Sequence, residues 1–307
     1  MAAKECFDFP SVKGVPLQAR RWIPDGKIRG TIQIVHGMAE HIDRYDHVAC
    51  ALNDAGFLVT GHNHFGHGQS SSLHGFFGDQ NGWQALIDDV HSLRTITEKA
   101  YPDIPYFLLG HSMGSFVVRC YLTEHADGLA GAVISGTGYY QPPVVRAGLA
   151  LSNLLCSLGY AKKESPIIDR IAFSSSNKPF APNRTPFDWL TRDKTEVDKY
   201  ISDPECGFLF TASGYRDLFR GLMRLTRTED LKRIPSSLPV LFISGERDPI
   251  GAMGNGVRKV SQDFINAKIR NITVHLYPEC RHELFNELNR QEVFGDLIDW
   301  LEKQLSD

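Results

Sequence analysis

Tyr106-Phe107-Leu108-Leu109-Gly110-His111-Ser112-Met113-Gly114-Ser115-Phe116-Val117-Val118 decides the reading of this chain. An apolar run ends in Gly110, one serine is lifted between two glycines, and a helical pattern resumes at Ser115. That is strand, sharp turn and helix, the arrangement of a nucleophile elbow. Side chains at 110 and 114 would collide with neighbouring backbone in so tight a turn. The same turn pushes the Ser112 Oγ above the sheet, beside the first N–H groups of the helix. Gly-X-Ser-X-Gly alone is a weak signal, so the surrounding chain must carry the reading.

Upstream, residues 7–9 and 15–22 alternate polar and apolar around Gly14, which predicts an antiparallel hairpin. Thr31-Ile-Gln-Ile-Val35 reads as a buried strand running into His36-Gly37, and residues 44–55 have helical spacing closed by Gly56. A strand at 57–60 leads into a loop rich in Gly and His, and a long amphipathic helix spans about 81–99. Downstream, 129–135 is another apolar strand. The pattern returns at 238–244 and 271–277, before a terminal helix at 291–305. This alternation of strand and helix predicts an α/β fold, a mainly parallel sheet with helices on both faces and ligands at the carboxyl ends of its strands. Between 139 and 233 the alternation stops: two apolar helical pieces, 143–158 and 215–225, flank a Pro/Ser/Asn-rich middle at 165–186. The expected organisation is a core of 1–138 and 234–307 with an inserted cap, or lid, at 139–233.

Composition narrows the function. A chain of 307 residues, 42% hydrophobic, can bury a full core, and a net charge of −3 without a long basic run argues against nucleic acid as a partner. Six cysteines (Cys6, Cys50, Cys120, Cys156, Cys206 and Cys280) lack both metal-site spacing and disulfide-scaffold density. The N-terminus has no signal-like apolar region, and no run elsewhere approaches a membrane span. A soluble, cytoplasmic protein is expected.

A serine nucleophile needs a base within hydrogen-bond reach and a carboxylate to hold that base in its tautomer, in the order Ser, acid, His for this fold. Asp248 follows a strand in Ser244-Gly-Glu-Arg-Asp-Pro-Ile-Gly251, and His282 follows the last strand in Glu279-Cys-Arg-His-Glu-Leu-Phe-Asn-Glu287. Glu246 is the second candidate acid and His111 the second candidate base. An oxyanion needs preorganised N–H donors; the Met113 N–H at the helix start is one, and the Met38 N–H, in His36-Gly37-Met38-Ala39-Glu40-His41, is the other. Among twelve histidines, His62, His64 and His67 invite a metal reading, but no Cys or carboxylate set accompanies them at ligand spacing. They are expected to hydrogen-bond loop backbone, with neither metal nor cofactor.

Taken together, His36-Gly-Met-Ala-Glu-His41 with Arg44-Tyr45, Gly66-His-Gly-Gln-Ser70, Gly110-His-Ser-Met-Gly114, Asp248-Pro249 and Arg281-His282-Glu283-Leu284 resemble the monoacylglycerol lipase/lysophospholipase branch of the α/β-hydrolase superfamily, which includes serine aminopeptidase S33-type hydrolases. The match spans nearly the whole chain, and the cap segment 193–204 is similar too. Asn63 departs from it, standing where many relatives carry Asp, and a loop effect is expected there. The resemblance implies hydrolysis of a lipid-like carboxylic ester, such as a monoacylglycerol or lysophospholipid, through an acyl-enzyme. It also places Glu40 and Arg44 near the alcohol end of the substrate, with a surface salt bridge as the alternative. An apolar cap allows transient membrane-surface contact. Its Leu149, Leu151, Leu154, Leu155 and Leu222 either line an acyl path or pack helices.

Three alternatives stay open. An aminopeptidase would bind a free α-amine through cap carboxylates, with Glu164, Glu196 and Glu205 available; an acyltransferase would use the same triad and exclude water; a ligand-binding scaffold would do no chemistry. Epoxide hydrolases and dehalogenases are excluded, because their nucleophile is Asp where this chain has Ser112.

Overall fold

The computed structural model describes residues 3–69 and 71–305, so Ser70 of the Gly66–Ser70 motif lies outside the described residues. The chain opens with the expected hairpin: β1 (Ala3–Pro10) and β2 (Pro16–Ile23) pair antiparallel. β3 (Gly30–Val35), α1 (Asp46–Asp54), β4 (Phe57–His62), α2 (Gly82–Ala100), β5 (Tyr106–His111), α3 (Met113–His125) and β6 (Leu129–Ser135) then alternate. No strand occurs among the described residues between β6 and β7; that stretch holds α4 (Pro142–Leu155), α5 (Pro166–Phe173), α6 (Lys194–Ser202) and α7 (Ala212–Leu225). β7 (Val240–Gly245), α8 (Asn255–Asn266), β8 (Ile272–Tyr277) and α9 (Arg290–Leu305) complete the chain.

The eight strands form one sheet in the order β1-β2-β4-β3-β5-β6-β7-β8. Only β1–β2 and β2–β4 are antiparallel. β3, β5, β6 and β7 all point the same way, so the loops after them meet at one edge. Strands buried on both faces read as continuous apolar runs, as Tyr106–Leu109 and Val240–Ile243 do. One core lies between the sheet and α2, α3 and α8, and the second between the sheet and α1 and α9.

Two points that the sequence reading left open or read only by composition have local explanations. The Pro/Ser/Asn-rich 165–186 contains α5, which begins at Pro166 because proline at the first helical position lacks only an N–H that would be unpaired anyway. The leucines between β6 and β7 divide: Leu222 is buried in the main core, Leu151 and Leu155 pack against it, and Leu154 faces solvent.

The tightest constraint sits at the elbow. A Cβ on Gly114 would collide with the carbonyl oxygens of Val35 and His36, and one on Gly110 would press on the Gly114 backbone. Both obstacles are backbone and cannot step aside. Gly114→Ala should therefore destabilise the protein by roughly 1–3 kcal/mol or more, as overpacking in a full core does, read as a lower urea midpoint; an unchanged midpoint would show that β3 and α3 can separate freely.

Candidate active site

Ser112 is the non-helical residue between β5 and α3, with φ 51° and ψ −118°. A positive φ is unfavourable for serine and persists because the surroundings enforce it. Its N–H donates to the Ser135 carbonyl at 3.0 Å, and its own carbonyl accepts from the Ser115 N–H at 2.9 Å and the Ser115 Oγ at 2.5 Å. The turn is thus bonded to β6 behind it and to the first turn of α3 ahead.

Asp248 and His282 meet at the same edge. The Asp248 Oδ2 accepts from the His282 Nδ1 at 3.0 Å, and both residues are buried. Asp248 is itself held: the Ile250 N–H donates to Oδ1 at 2.8 Å and the Ser244 Oγ to Oδ2 at 3.3 Å. Burial works against a charge on His282, but Asp248, with Glu283 and Glu40 behind it, outweighs burial and raises the imidazole above its ordinary value. Glu246 is exposed, whereas Asp248 is buried and bonded to the histidine. His111 lies 4.9 Å from His282, ring centre to ring centre, and is held neutral, down to about 4, by burial and by the neighbouring His282. Gly136 leaves room for this pair, since a Cβ there would come within 3.2 Å of both rings.

The loop after β3 lies beside the serine: a Cβ on Gly37 would stand 3.2 Å from the Ser112 Cβ. The Gly37 N–H is already taken, donating to Glu40 Oε1 at 2.5 Å. That leaves Met38 as the next donor along the loop, and Met113 opens α3. Ala39 adopts a left-handed φ of 52°. Its carbonyl accepts from the Gly207 N–H at 2.9 Å and the Tyr200 hydroxyl at 3.1 Å, so the stretch between β6 and β7 grips this loop.

Glu40 and Arg44 do not form a surface salt bridge. Arg44 Nη1 donates to Glu40 Oε2 at 2.5 Å, and its two terminal nitrogens reach both oxygens of Glu283 at 2.8 Å. The Glu40 and Glu283 side chains are 4% and 7% exposed, so this three-residue bridge is out of water. Burial would push Glu283 up, but Arg44 holds it down at about 2. The Tyr45 hydroxyl donates to Glu40 at 2.9 Å, and Tyr200 lies under the Arg44 guanidinium at 4.9 Å.

The histidine-rich loop behaves as expected at two positions. The Ala39 N–H donates to His67 Nε2 at 3.3 Å, and His64 Nε2 to the His36 carbonyl at 3.2 Å. His62 instead sets its ring edge-on to Phe9. Burial, first of all, holds His62, His64 and His67 well below the ordinary histidine range. Asn63 supports the loop, accepting the Ile42 N–H at 2.8 Å. Among the described residues, side chains of metal-ligand type converge elsewhere, at His41, Asp203 and Cys206 and at Asp88, Glu124 and His125.

Sequence reasoning missed Trp189 and the part played by Glu283. The Trp189 ring lies 5.0 Å from that of His282, and Arg281 bonds the carbonyls of Asp188 and Thr191. The partners are far apart in the chain, and no local pattern links them.

The family model described as serine aminopeptidase, S33, matches residues 26–289. The chain is 28% identical to the monoacylglycerol lipase of Mycolicibacterium smegmatis over 301 residues, 97% of this chain and 96% of the relative. It is 29% identical to human monoglyceride lipase over 295 residues, 95% of this chain and 88% of the relative. A thermostable carboxyl esterase from Bacillus coagulans, solved with glycerol, superposes with a TM-score of 0.92 at 30% identity, covering 99% of this chain and all of that one. This chain belongs to the serine aminopeptidase S33 family of α/β-hydrolases, on the branch that holds the monoacylglycerol lipases.

Proposed function

We propose that this chain hydrolyses the carboxylic ester of a lipid-like substrate, a monoacylglycerol or lysophospholipid, through an acyl-enzyme on Ser112. The observation that carries the reading is the buried Asp248–His282 hydrogen bond of 3.0 Å, at the sheet edge where Ser112 is held at a positive φ. His282 takes the Ser112 proton as the Oγ attacks the ester carbonyl. The Met38 and Met113 N–H groups hold the oxyanion, and His282 then protonates the leaving alcohol. Water repeats the cycle and releases the acid. The carboxyl esterase and monoacylglycerol lipase relatives support an ester rather than an amide substrate.

The cap supports the lipid end of this reading. Leu154, Leu158, Ile167 and Ile171 are 55%, 62%, 60% and 69% exposed, on α4, α5 and the segment between them. Four large apolar side chains facing water on adjacent segments suit contact with a lipid surface. Residues 139–233 act as the cap over Ser112, and six unpaired thiols agree with a cytoplasmic site of action. Among the described residues no helix is long and apolar enough to cross a membrane. The aminopeptidase alternative would need a cap carboxylate free for an α-amine; Glu164 faces solvent, Glu196 pairs with Lys199 at 2.9 Å, and Glu205 lies 3.3 Å from His74.

Parallel assays of a p-nitrophenyl acyl ester and an amino-acid p-nitroanilide test the reading: ester turnover lost in Ser112→Ala supports it, and anilide turnover alone overturns it. Because only neutral His282 can accept the serine proton, kcat/KM should fall as pH drops through a value above 6.5, the ordinary imidazole figure. Asp248→Asn should lower kcat by about 10⁴-fold and move that limb to lower pH, since the charge that raises His282 is gone. Leu158→Glu with Ile171→Glu should impair hydrolysis of monoacylglycerol in vesicles and spare a soluble short-chain ester; equal loss on both would argue against surface contact.

A further inference from the structure

Arg44 joins two loops that the proposed chemistry needs at a fixed separation. On one side, Glu40 accepts the Gly37 N–H at 2.5 Å, which sets the backbone just before Met38. On the other, Glu283 follows His282 directly, and its N–H donates to the cap carbonyl of Leu190 at 2.7 Å. The Arg44 fork spans these carboxylates, 2.5 Å to Glu40 and 2.8 Å to each oxygen of Glu283. Each carboxylate has another donor, the Tyr45 hydroxyl at 2.9 Å and the Asn286 amide at 2.8 Å, so neither end can swing. A planar guanidinium engages two carboxylates at fixed angles; a lysine ammonium is a single point charge and cannot hold both in this way.

We propose that Arg44 is a positioning residue that fixes the distance between the oxyanion-binding loop and the base His282, through the buried Glu40–Arg44–Glu283 bridge. The proposal rests on the Ser112 hydrolase reading. It moves Arg44 from a contact with the substrate alcohol to a strut between two parts of the machinery. A strut acts on the transition state, in which the oxyanion and the imidazolium exist together, and hardly on ground-state binding.

Steady-state kinetics on a soluble p-nitrophenyl ester, with thermal unfolding of each variant, tests it. Arg44→Met should lower kcat by about 100-fold, the scale of a misplacement near 1 Å, with KM within about threefold of wild type. Arg44→Lys keeps the charge and the fold and should fall between the two. Adding Glu283→Gln to Arg44→Met removes one of the two buried carboxylates left without their cation, so it should recover part of the stability without recovering kcat. Recovery of kcat along with stability would overturn the proposal by making Arg44 merely structural. So would an Arg44→Lys kcat indistinguishable from wild type, or a loss confined to KM, which would return Arg44 to substrate binding. Turnover that survives Ser112→Ala would overturn the hydrolase reading and this inference with it. Inactive Ser112→Ala beside an unimpaired Arg44→Lys would overturn the positioning role alone.

Discussion

At the end of β5 two stretches of backbone pass so close that a side chain at Gly114 would strike the carbonyls opposite. Gly114 lies against the carbonyls of Val35 and His36, and the strand-to-helix turn has nowhere to go but over the sheet edge. The left-handed Ser112 follows from that lack of space. Parallel strands on either side then deliver their loops to the same edge, since β3, β6 and β7 all end there. The loop after β3, Gly136 and Asp248 are arranged around a serine that sterics have already placed.

The second requirement is electrostatic. A site closed off from water makes each unpaired charge costly, so the buried charges here come in bonded sets. Asp248 faces His282, while Glu40 and Glu283 share Arg44. The imidazoles without a carboxylate, His36, His62, His64, His67 and His111, are instead kept neutral by burial. One ring, His282, is raised while its neighbour His111 is lowered, and the Asp248 carboxylate is what separates them.

What the sequence disclosed, and what it hid, follows from the range of the interactions. The elbow, the hairpin and the core strands were legible because glycines and apolar runs act within a few residues. Asp248 and His282 could be placed because each follows its own strand. The antiparallel β2–β4 pairing and the position of β4 outside β3 depend on contacts across the sheet and left no local mark. The helix beginning at Pro166 was obscured because proline looks like a breaker until its position in the helix is known. Trp189 and Glu283 were out of reach for another reason: their partners, His282 and Arg44, are contributed by other loops, and the Arg44–Glu283 pair spans 239 residues.

β6 ends at Ser135 and its sheet neighbour β7 begins at Val240, so everything between them is one connection joining two adjacent parallel strands. Pairing those strands means closing that connection, and closure entropy grows only with the logarithm of its length; doubling it would cost about 0.6 kcal/mol. The sheet is therefore nearly indifferent to the length of this connection. Insertions, deletions and new helices can accumulate between β6 and β7 while the register that places Asp248 and His282 stays the same, which makes this junction the place where a fold of this kind can change its substrate at small thermodynamic cost.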